Sequence, residues 1–255
     1  EKKMKKKILA IIPARMESSR FPGKPMKKIN GIPMIEMVYS NIKKTKNLYD
    51  TIVATCNYEI HNYILSINGK SIMTSNKHNR ASERCAEALL KYEKKNKCKI
   101  DIVVLVQGDE PLIDANMVNK AIKPLIDNNK ILCSNLVGKI KNLNEFNDPN
   151  CIKVVSDKKS NAIYFSRLPI PFQKKFNTTN IKKQVCAIPF QRDFLIKYLK
   201  MKPTNLEVLE SIDMLRLLEN NIKIKLVKVN KLTQSVDNQN DLKKAEKLIK
   251  YNVSK

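Results

Sequence analysis

Three cations lie close together in a loop near the start of the chain. Arg15, Arg20 and Lys24 fall within residues 14–25, beside Gly23 and several loop N–H groups. Arg binds phosphate oxygens in a bidentate way and Lys acts as a point charge, so this set predicts a grip on a polyphosphate. An ordinary basic surface loop is the alternative. It is disfavoured because three prolines stiffen the segment: Pro13, Pro22 and Pro25. The motifs of P-loop and dinucleotide-binding proteins are absent from the loop.

A loop with a carboxylate follows the apolar run at residues 101–106. It consists of Gln107-Gly108-Asp109-Glu110-Pro111. Ligands of open α/β sheets lie beyond the carboxyl ends of the strands, where the basic loop is also expected. A carboxylate in that place, opposite a polyphosphate, is well placed to hold Mg²⁺. A plain turn containing Asp and Gly is the alternative that this loop alone leaves open.

The elements that position these loops alternate between apolar runs and helical patterns, which predicts a mostly parallel sheet flanked by helices. The run at residues 8–12 is typical of a strand buried on both faces. The predicted strands are 8–12, 51–55, 71–74, 101–106, 131–137, 152–156, 162–166 and 224–229. One predicted helix begins at Pro33 and extends through Ser40, and the other predicted helices cover 82–94, 116–126, 205–219 and 240–250. Residues 173–183 are expected to form an exposed excursion. Because no repeat or linker interrupts the pattern, residues 1–255 are expected to form one domain.

The formal net charge of +25 raises the question of a nucleic-acid partner. The basic residues are mostly Lys and are scattered along the chain, whereas nucleic-acid modules concentrate Arg and aromatic residues on one face. A solvated basic surface is therefore the favoured interpretation, and a nucleic acid is not expected as a partner. The charge should still attract anionic substrates, and salt should weaken that attraction.

The six cysteines are widely spaced and include no Cys-x-x-Cys pair, and the chain has only two histidines. This pattern indicates reduced thiols in a cytosol-like compartment and disfavours a disulfide scaffold or a zinc centre. No apolar run approaches the roughly 20 residues that a membrane span requires. Neither a membrane span nor a secretory signal is expected, and the predicted location is the cytoplasm.

The motifs together resemble a known enzyme family. Residues 14–25 fit the pattern Ala-Arg-x-x-Ser-x-Arg-x-Pro-Gly-Lys-Pro, and Asn-Gly-x-Pro-Met-Ile follows, as in the cytidylyltransferases that activate acidic sugars. Residues 106–111 narrow the resemblance to the 3-deoxy-manno-octulosonate cytidylyltransferase family. Further matching blocks follow in the family's order and cover essentially the whole chain: 148–155, 162–171, 206–216 and 236–242.

The resemblance implies a Rossmann-like domain of the nucleotide-diphospho-sugar transferase type, with a mixed sheet, acting as a homodimer. Its implied reaction transfers CMP from CTP to the anomeric hydroxyl of 3-deoxy-manno-octulosonate and releases pyrophosphate, for glycans of the lipopolysaccharide type. The implied cofactor is Mg²⁺. Phosphoryl transfer depends mainly on positioning and charge neutralisation, which fits the lack of a nucleophilic triad.

The family pattern also implies roles for individual residues. The implied nucleotide-binding residues are Pro13, Ala14, Arg15, Ser19, Arg20, Lys24, Ser82, Arg84 and Gln107. The implied sugar-binding residues are Gln107, Arg167, Gln184, Glu207 and Glu210. The implied metal ligands are Asp109 and Asp237, and the implied catalytic residues are Lys24, Arg15 and Asp109. A sugar carboxylate requires a partner such as Arg, and sugar hydroxyls require carboxylate and amide acceptors.

Departures from the family pattern cluster around the predicted pockets. Residues 77–84 differ from it, with Arg80-Ala81-Ser82 in place of Ser-Gly-Thr, and Gln184 replaces a sugar-contacting His. Three further segments also differ from the family pattern. Ile188-Pro189-Phe190 replaces Tyr-Gly-Tyr, Val208 replaces a His, and Asn238-Gln239-Asn240 replaces Thr-Pro-Glu. These departures leave three alternatives open. The protein catalyses the same reaction, or it is a cytidylyltransferase for another acidic or amino-substituted sugar such as a sialic-acid relative, or it is a non-catalytic relative that binds anions or nucleic acid.

Overall fold

The computed structural model describes residues 6–18 and 21–253. Its strands are β1 (Ile8–Ala14), β2 (Lys28–Ile29), β3 (Ile32–Pro33), β4 (Asp50–Thr55), β5 (Ser71–Met73), β6 (Ile102–Val106), β7 (Ser134–Lys139), β8 (Lys153–Ser156), β9 (Ala162–Ser166), β10 (Lys182–Val185), β11 (Ala187–Gln191) and β12 (Lys225–Lys228). Its helices are α1 (Met34–Lys43), α2 (Tyr58–Ser66), α3 (Ala81–Asn96), α4 (Ala115–Asp127), α5 (Leu143–Asn147), α6 (Arg192–Leu199), α7 (Asn205–Glu210), α8 (Met214–Glu219) and α9 (Gln239–Val253). A 3₁₀ turn covers Lys24–Met26.

The main sheet has the strand order β11-β6-β1-β4-β5. Strands β6, β1, β4 and β5 are parallel, and β11 pairs antiparallel with β6. Alternate residues of β1 enter different cores: Leu9 and Ile11 lie in one, and Ile8, Ala10 and Ile12 lie in the other. Both faces of β1 are therefore buried under helices, as the apolar run indicated. The predicted mostly parallel mixed sheet flanked by helices is confirmed.

A second sheet, which the sequence pattern did not predict, has the order β12-β7-β10-β8-β9. Only the β12–β7 pairing is parallel among the pairings described in this sheet. An antiparallel bridge between Cys133 and Phe190 connects it to β11 of the main sheet. Val137, Val154 and Phe165 pack in the same core as Leu9, so the two sheets share apolar packing.

Three element predictions were wrong in detail. The helix predicted at residues 205–219 is divided into α7 and α8, because Ser211 has φ 55° and ends α7 in the left-handed conformation. Strand β1 continues through Pro13 to Ala14 instead of ending at Pro13. The stretch 173–183 is not wholly exposed, since Ile181 is 1% exposed and β10 begins at Lys182. In the described part of the chain, no helix is long and apolar enough to span a membrane.

Candidate active site

The two predicted loops meet because their strands are parallel neighbours in the main sheet. Ile11 of β1 is in register with Leu105 of β6, so the carboxyl ends of both strands lie side by side. A Cβ added to Gly108 would lie 3.3 Å from the backbone oxygen of Pro13. That distance is tighter than ordinary packing, so Gly at this position lets the carboxylate loop contact the end of β1 closely.

Lys24 joins the basic loop to two carboxylates. Its Nζ lies 2.7 Å from Asp109 Oδ2 and 3.4 Å from Asp237 Oδ1. The Asp237 segment is fixed to the second loop because the Val236 N–H donates to the Asp109 carbonyl at 2.9 Å. Burial opposes the charge of Lys24, but the two carboxylates outweigh it and raise the pKa of the ammonium above its ordinary value.

The Asp109 and Asp237 carboxylates could also hold a divalent cation. Asp109 Oδ1 is buried and has no hydrogen-bond partner among the described residues. Two convergent carboxylates beside a phosphate site match the preference of Mg²⁺ for one or two carboxylates completed by water and substrate phosphate. The residues present therefore fit this ion, although the described residues contain no cluster of three or more His, Cys, Asp or Glu suited to a metal.

Glu110 is a buried carboxyl that sequence reasoning did not select. It is 3% exposed, its Oε1 accepts a hydrogen bond from the Cys186 N–H at 3.1 Å, and its Oε2 has no partner in the described residues. Burial, together with the nearby Asp109 charge, raises the pKa of Glu110 to about 7. No pattern in the sequence distinguishes this Glu from a turn residue, since its hydrogen-bond partner Cys186 lies 76 residues further along the chain.

A cavity of about 300 Å³ lies between the basic loop and the start of α3. The predicted nucleotide-binding residues that line it are Pro13, Ala14, Arg15, Lys24, Arg84 and Gln107. Arg84 is buried, with its Nη1 bonded to Thr74 Oγ1 at 2.5 Å and its Nη2 unpartnered among the described residues. Ser19 and Arg20 lie outside the described residues. The cavity therefore collects basic side chains, as a phosphate site requires.

An adjoining cavity of about 790 Å³ extends toward the second sheet. Its basic lining residues are Arg80, Lys141, Arg167, Lys183 and Lys244, and its amide-bearing lining residues include Gln107 and Gln184. Both cavities are lined by the same five residues at their junction: Asn79, Arg80, Ala81, Gln107 and Asp109. The larger cavity thus combines cations and amide groups with carboxylates, among them Asp109, Asp213 and Asp237, so it offers partners both for an acidic group and for hydroxyls.

Arg167 and Gln184 line the larger cavity, as a sugar-binding role requires. The Arg167 guanidinium donates to the carbonyls of Glu210 at 2.7 Å and Pro149 at 2.9 Å. Gln184 Nε2 donates to the buried Asn135 Oδ1 at 2.7 Å. Both side chains are therefore held in place by the protein before any ligand binds.

Three residues do not lie where the family pattern implied. Glu207 is 0% exposed and forms two 2.6 Å bonds to Arg216, so it does not face the cavity. Glu210 accepts from Ser166 Oγ at 2.7 Å and from the Arg167 N–H at 2.8 Å, beneath the cavity wall. Ser82 lines the larger cavity instead of the nucleotide cavity.

A further cavity, of about 1050 Å³, lies elsewhere, along α4. Its lining includes Lys6, Asn116, Lys120 and Lys231, and contains none of the residues predicted for the site. Its lysines are largely engaged: Lys6 donates to the Leu125 carbonyl at 2.7 Å, and Lys231 pairs with Asp114. Size alone therefore does not identify the site, whereas the convergence of charged groups at the ends of β1 and β6 does.

The chain is similar to known proteins over almost its whole length. A family model described as cytidylyltransferase matches residues 9–224. The chain is 41% identical over 246 residues to a 3-deoxy-manno-octulosonate cytidylyltransferase of Fusobacterium nucleatum, covering 96% of this chain and 98% of the relative. It is 38% identical to the enzyme of the same name from Geobacter metallireducens, covering 97% of this chain and 100% of the relative.

Solved structures show the same fold. A CMP:2-keto-3-deoxy-manno-octonic acid synthetase complexed with CTP superposes with a TM-score of 0.86 at 32% identity, covering 96% of this chain and 99% of the other. A putative glucose-1-phosphate thymidylyltransferase from Bacillus anthracis gives a TM-score of 0.64 at 13% identity, covering 94% of each chain, and shows the fold alone. The chain therefore shares its architecture with nucleotidyltransferases of the nucleotide-diphospho-sugar type.

Proposed function

The chain belongs to the cytidylyltransferase family and, within it, to the 3-deoxy-manno-octulosonate cytidylyltransferases, and from this premise we propose how it acts. It transfers CMP from CTP to the anomeric hydroxyl of 3-deoxy-manno-octulosonate and releases pyrophosphate. The sugar oxygen forms the new bond to the α-phosphorus, the bond to the pyrophosphate breaks, and the hydroxyl proton passes to solvent water.

The observation that carries this proposal is the junction of the two cavities at Asp109. The smaller cavity has the cations for a triphosphate, and the larger one has Arg167 and Gln184 for an acidic sugar. Gln107 and Asp109 line both. A reacting phosphorus at this junction would have the departing pyrophosphate on one side and the sugar hydroxyl on the other, as an in-line displacement requires.

We assign Asp109 and Asp237 as the residues that would hold Mg²⁺. When bound, the ion would neutralise phosphate charge. The support is the convergence of both carboxylates on Lys24 Nζ and the unpartnered Asp109 Oδ1. Lys24 Nζ bonds to both carboxylates and Lys24 also lines the smaller cavity, so its charge serves the phosphates as well as the carboxylates.

The other residues bind and orient the substrates. Arg15 and Arg84 supply guanidinium groups to the triphosphate, and the unpartnered Arg84 Nη2 is a buried donor suited to a phosphate oxygen. Ser19 and Arg20 are proposed to assist on the basis of the family pattern. Arg167 is proposed to bind the sugar carboxylate, and Gln107 and Gln184 to bind sugar hydroxyls. Glu207 and Glu210 support the sugar cavity from beneath it.

Pyrophosphate release measures the proposed reaction directly. CTP and UTP are each combined with 3-deoxy-manno-octulosonate, a sialic acid and an amino-substituted sugar acid, with Mg²⁺ or with a chelator. We expect Mg²⁺-dependent release with CTP and 3-deoxy-manno-octulosonate. Release with a different sugar only would reassign the acceptor, and nucleotide-independent binding to RNA without turnover would overturn the enzyme assignment.

Three broader features are also proposed. Residues 1–255 form one domain, which the core shared by the two sheets supports. The protein acts as a homodimer, a proposal that rests on the family alone. Its location is the cytoplasm, a proposal that the six free cysteines support. Small-angle scattering and light scattering at several concentrations would test the dimer.

A further inference from the structure

Arg80 occupies an unusual place in the site. It precedes α3, where its backbone N–H donates to Glu83 Oε2 at 3.1 Å, and its side chain is 27% exposed. The other basic residues of the site line one cavity each: Arg15, Lys24 and Arg84 the smaller, and Lys141, Arg167, Lys183 and Lys244 the larger. Of the Lys and Arg side chains in the described part of the chain, Arg80 is the one that lines both cavities.

The protein holds one side of the Arg80 guanidinium and leaves donors for a ligand. Its Nη1 donates to Asp213 Oδ1 at 2.8 Å. Its Nη2 lies 3.8 Å from Glu207 Oε1, beyond hydrogen-bond range, and both Glu207 oxygens are already bonded to Arg216 at 2.6 Å. A guanidinium has five N–H donors, so this arrangement fixes the group while most of its donors stay available.

The proposed reaction brings two anions to the place where Arg80 lies. The attacking hydroxyl and the carboxylate of 3-deoxy-manno-octulosonate are both attached to the anomeric carbon, so the carboxylate must approach the α-phosphate of CTP. Like charges at such short range repel strongly where water is excluded. A planar guanidinium can bond to both groups at once, which a Lys ammonium does less well.

We propose that Arg80 contacts both the α-phosphate of CTP and the carboxylate of the sugar, and so draws the two substrates together at the junction. Asp213 is its positioning residue, since it fixes the guanidinium from the side of the α7–α8 turn. This inference rests on the proposed function. The positive charge of Arg80 should stabilise the transition state most strongly, when the sugar oxygen bonds to the α-phosphorus.

The test compares R80Q and R80K with R192Q in the pyrophosphate-release assay. Arg192 also bonds a carboxylate, Glu93, at 2.6 Å, but it lines neither cavity, so R192Q is a matched control for loss of an ion pair. We expect R80Q to lower kcat by roughly 10²–10³-fold, the usual effect of losing one preorganised charge donor. R80K should retain an intermediate kcat, R192Q should match wild type, and added guanidinium ion should partly restore R80Q.

The outcomes separate the two proposals. If wild type does not turn over CTP with the sugar acid, the proposed function fails, and this inference fails with it. If wild type is active and R80Q keeps kcat within about threefold, only the role of Arg80 fails. The role of Arg80 also fails if R80Q has a lower kcat and a lower melting temperature and neither R80K nor added guanidinium ion restores kcat. That pattern indicates a purely structural role.

Discussion

The buried pair of Glu207 and Arg216 gives the sharpest test of how the site is built. The Glu207 side chain is 0% exposed, that of Arg216 is 7% exposed, and two bonds of 2.6 Å join them. The guanidinium also lies 4.8 Å from the centre of the Tyr198 ring. Glu207→Gln removes the charge that compensates Arg216 in this interior. Breaking a buried pair on one side costs about 3–5 kcal/mol of unfolding free energy.

That loss has a measurable size in a chain of this length. One kcal/mol shifts the melting temperature by about 2–4 °C for domains of 150–250 residues, so Glu207→Gln should lower it by roughly 6–20 °C. Removing both charges together, in Glu207→Leu with Arg216→Met, should recover much of the loss because no buried charge is left unpaired. Thermal unfolding by circular dichroism measures the shift, and the exposed Glu59→Gln is the matched control.

The same variant distinguishes a supporting role from sugar contact. If Glu207 acts beneath the cavity, KM for the sugar should change little at temperatures where the variant is folded. A melting temperature within about 2 °C of wild type, combined with a tenfold higher KM for the sugar, would refute the reasoning. Glu207 would then face the ligand, as the family pattern implied.

Three further predictions follow from the junction. Lys24→Met should lower kcat/KM for CTP by roughly 10²–10³-fold. It should also strengthen Mn²⁺ binding without nucleotide, because Asp109 and Asp237 lose their ammonium partner. Steady-state kinetics and Mn²⁺ titration by electron paramagnetic resonance measure the two effects, and unchanged CTP kinetics would contradict the assignment. The pKa of Glu110 rises from an ordinary 4.5 to about 7, so the folded state holds a proton that the unfolded state has released, and stability falls as pH rises through that window. As the pH rises from 4.5 to 7, the unfolding free energy of Glu110→Gln should therefore gain up to about 3 kcal/mol relative to that of wild type. Urea unfolding with chelator present measures this difference, and a difference that does not depend on pH would refute the prediction. Gly108→Ala should destabilise the protein by about 1–3 kcal/mol in the same unfolding assay, because its Cβ would lie 3.3 Å from Pro13 O, whereas wild-type stability would show that the loops can separate.

The parts of the site that depend on strand ends could be predicted from the sequence. Parallel strands place their following loops at one edge, so the meeting of Lys24 with Asp109 follows from the two apolar runs and the residues after them. The position of Asp237 does not follow in this way. It reaches Lys24 because the Val236 N–H bonds to the Asp109 carbonyl, a contact across more than a hundred residues that no local pattern encodes.

The sequence pattern predicted four strands of the second sheet but missed β10, the central strand that pairs with both β7 and β8, because β10 does not look apolar. Strand β10 contains two lysines, yet Lys183 is only 7% exposed. Its aliphatic stem is buried while its Nζ bonds to Glu145 Oε1 at 2.6 Å and to the Thr233 carbonyl at 2.9 Å. A side chain of this kind counts as polar in a hydropathy pattern but packs as an apolar one. The burial of Glu207 likewise contradicts the sugar-contacting role that the family pattern implied for it.

The departures from the family pattern are connected in the structure. Arg80 and Ser82, which replace family residues before and within α3, both bond to Asp213, at 2.8 Å and 3.3 Å. Asp213 lies just after Ser211, whose left-handed conformation separates α7 from α8. The altered nucleotide loop and the turn beside the sugar cavity are therefore joined through one carboxylate. A change in how this chain binds CTP must then affect how it binds the sugar. Asp213→Asn should therefore change the KM values for both substrates in the pyrophosphate-release assay. A change in the KM for one substrate alone would indicate that the two departures from the family pattern are independent.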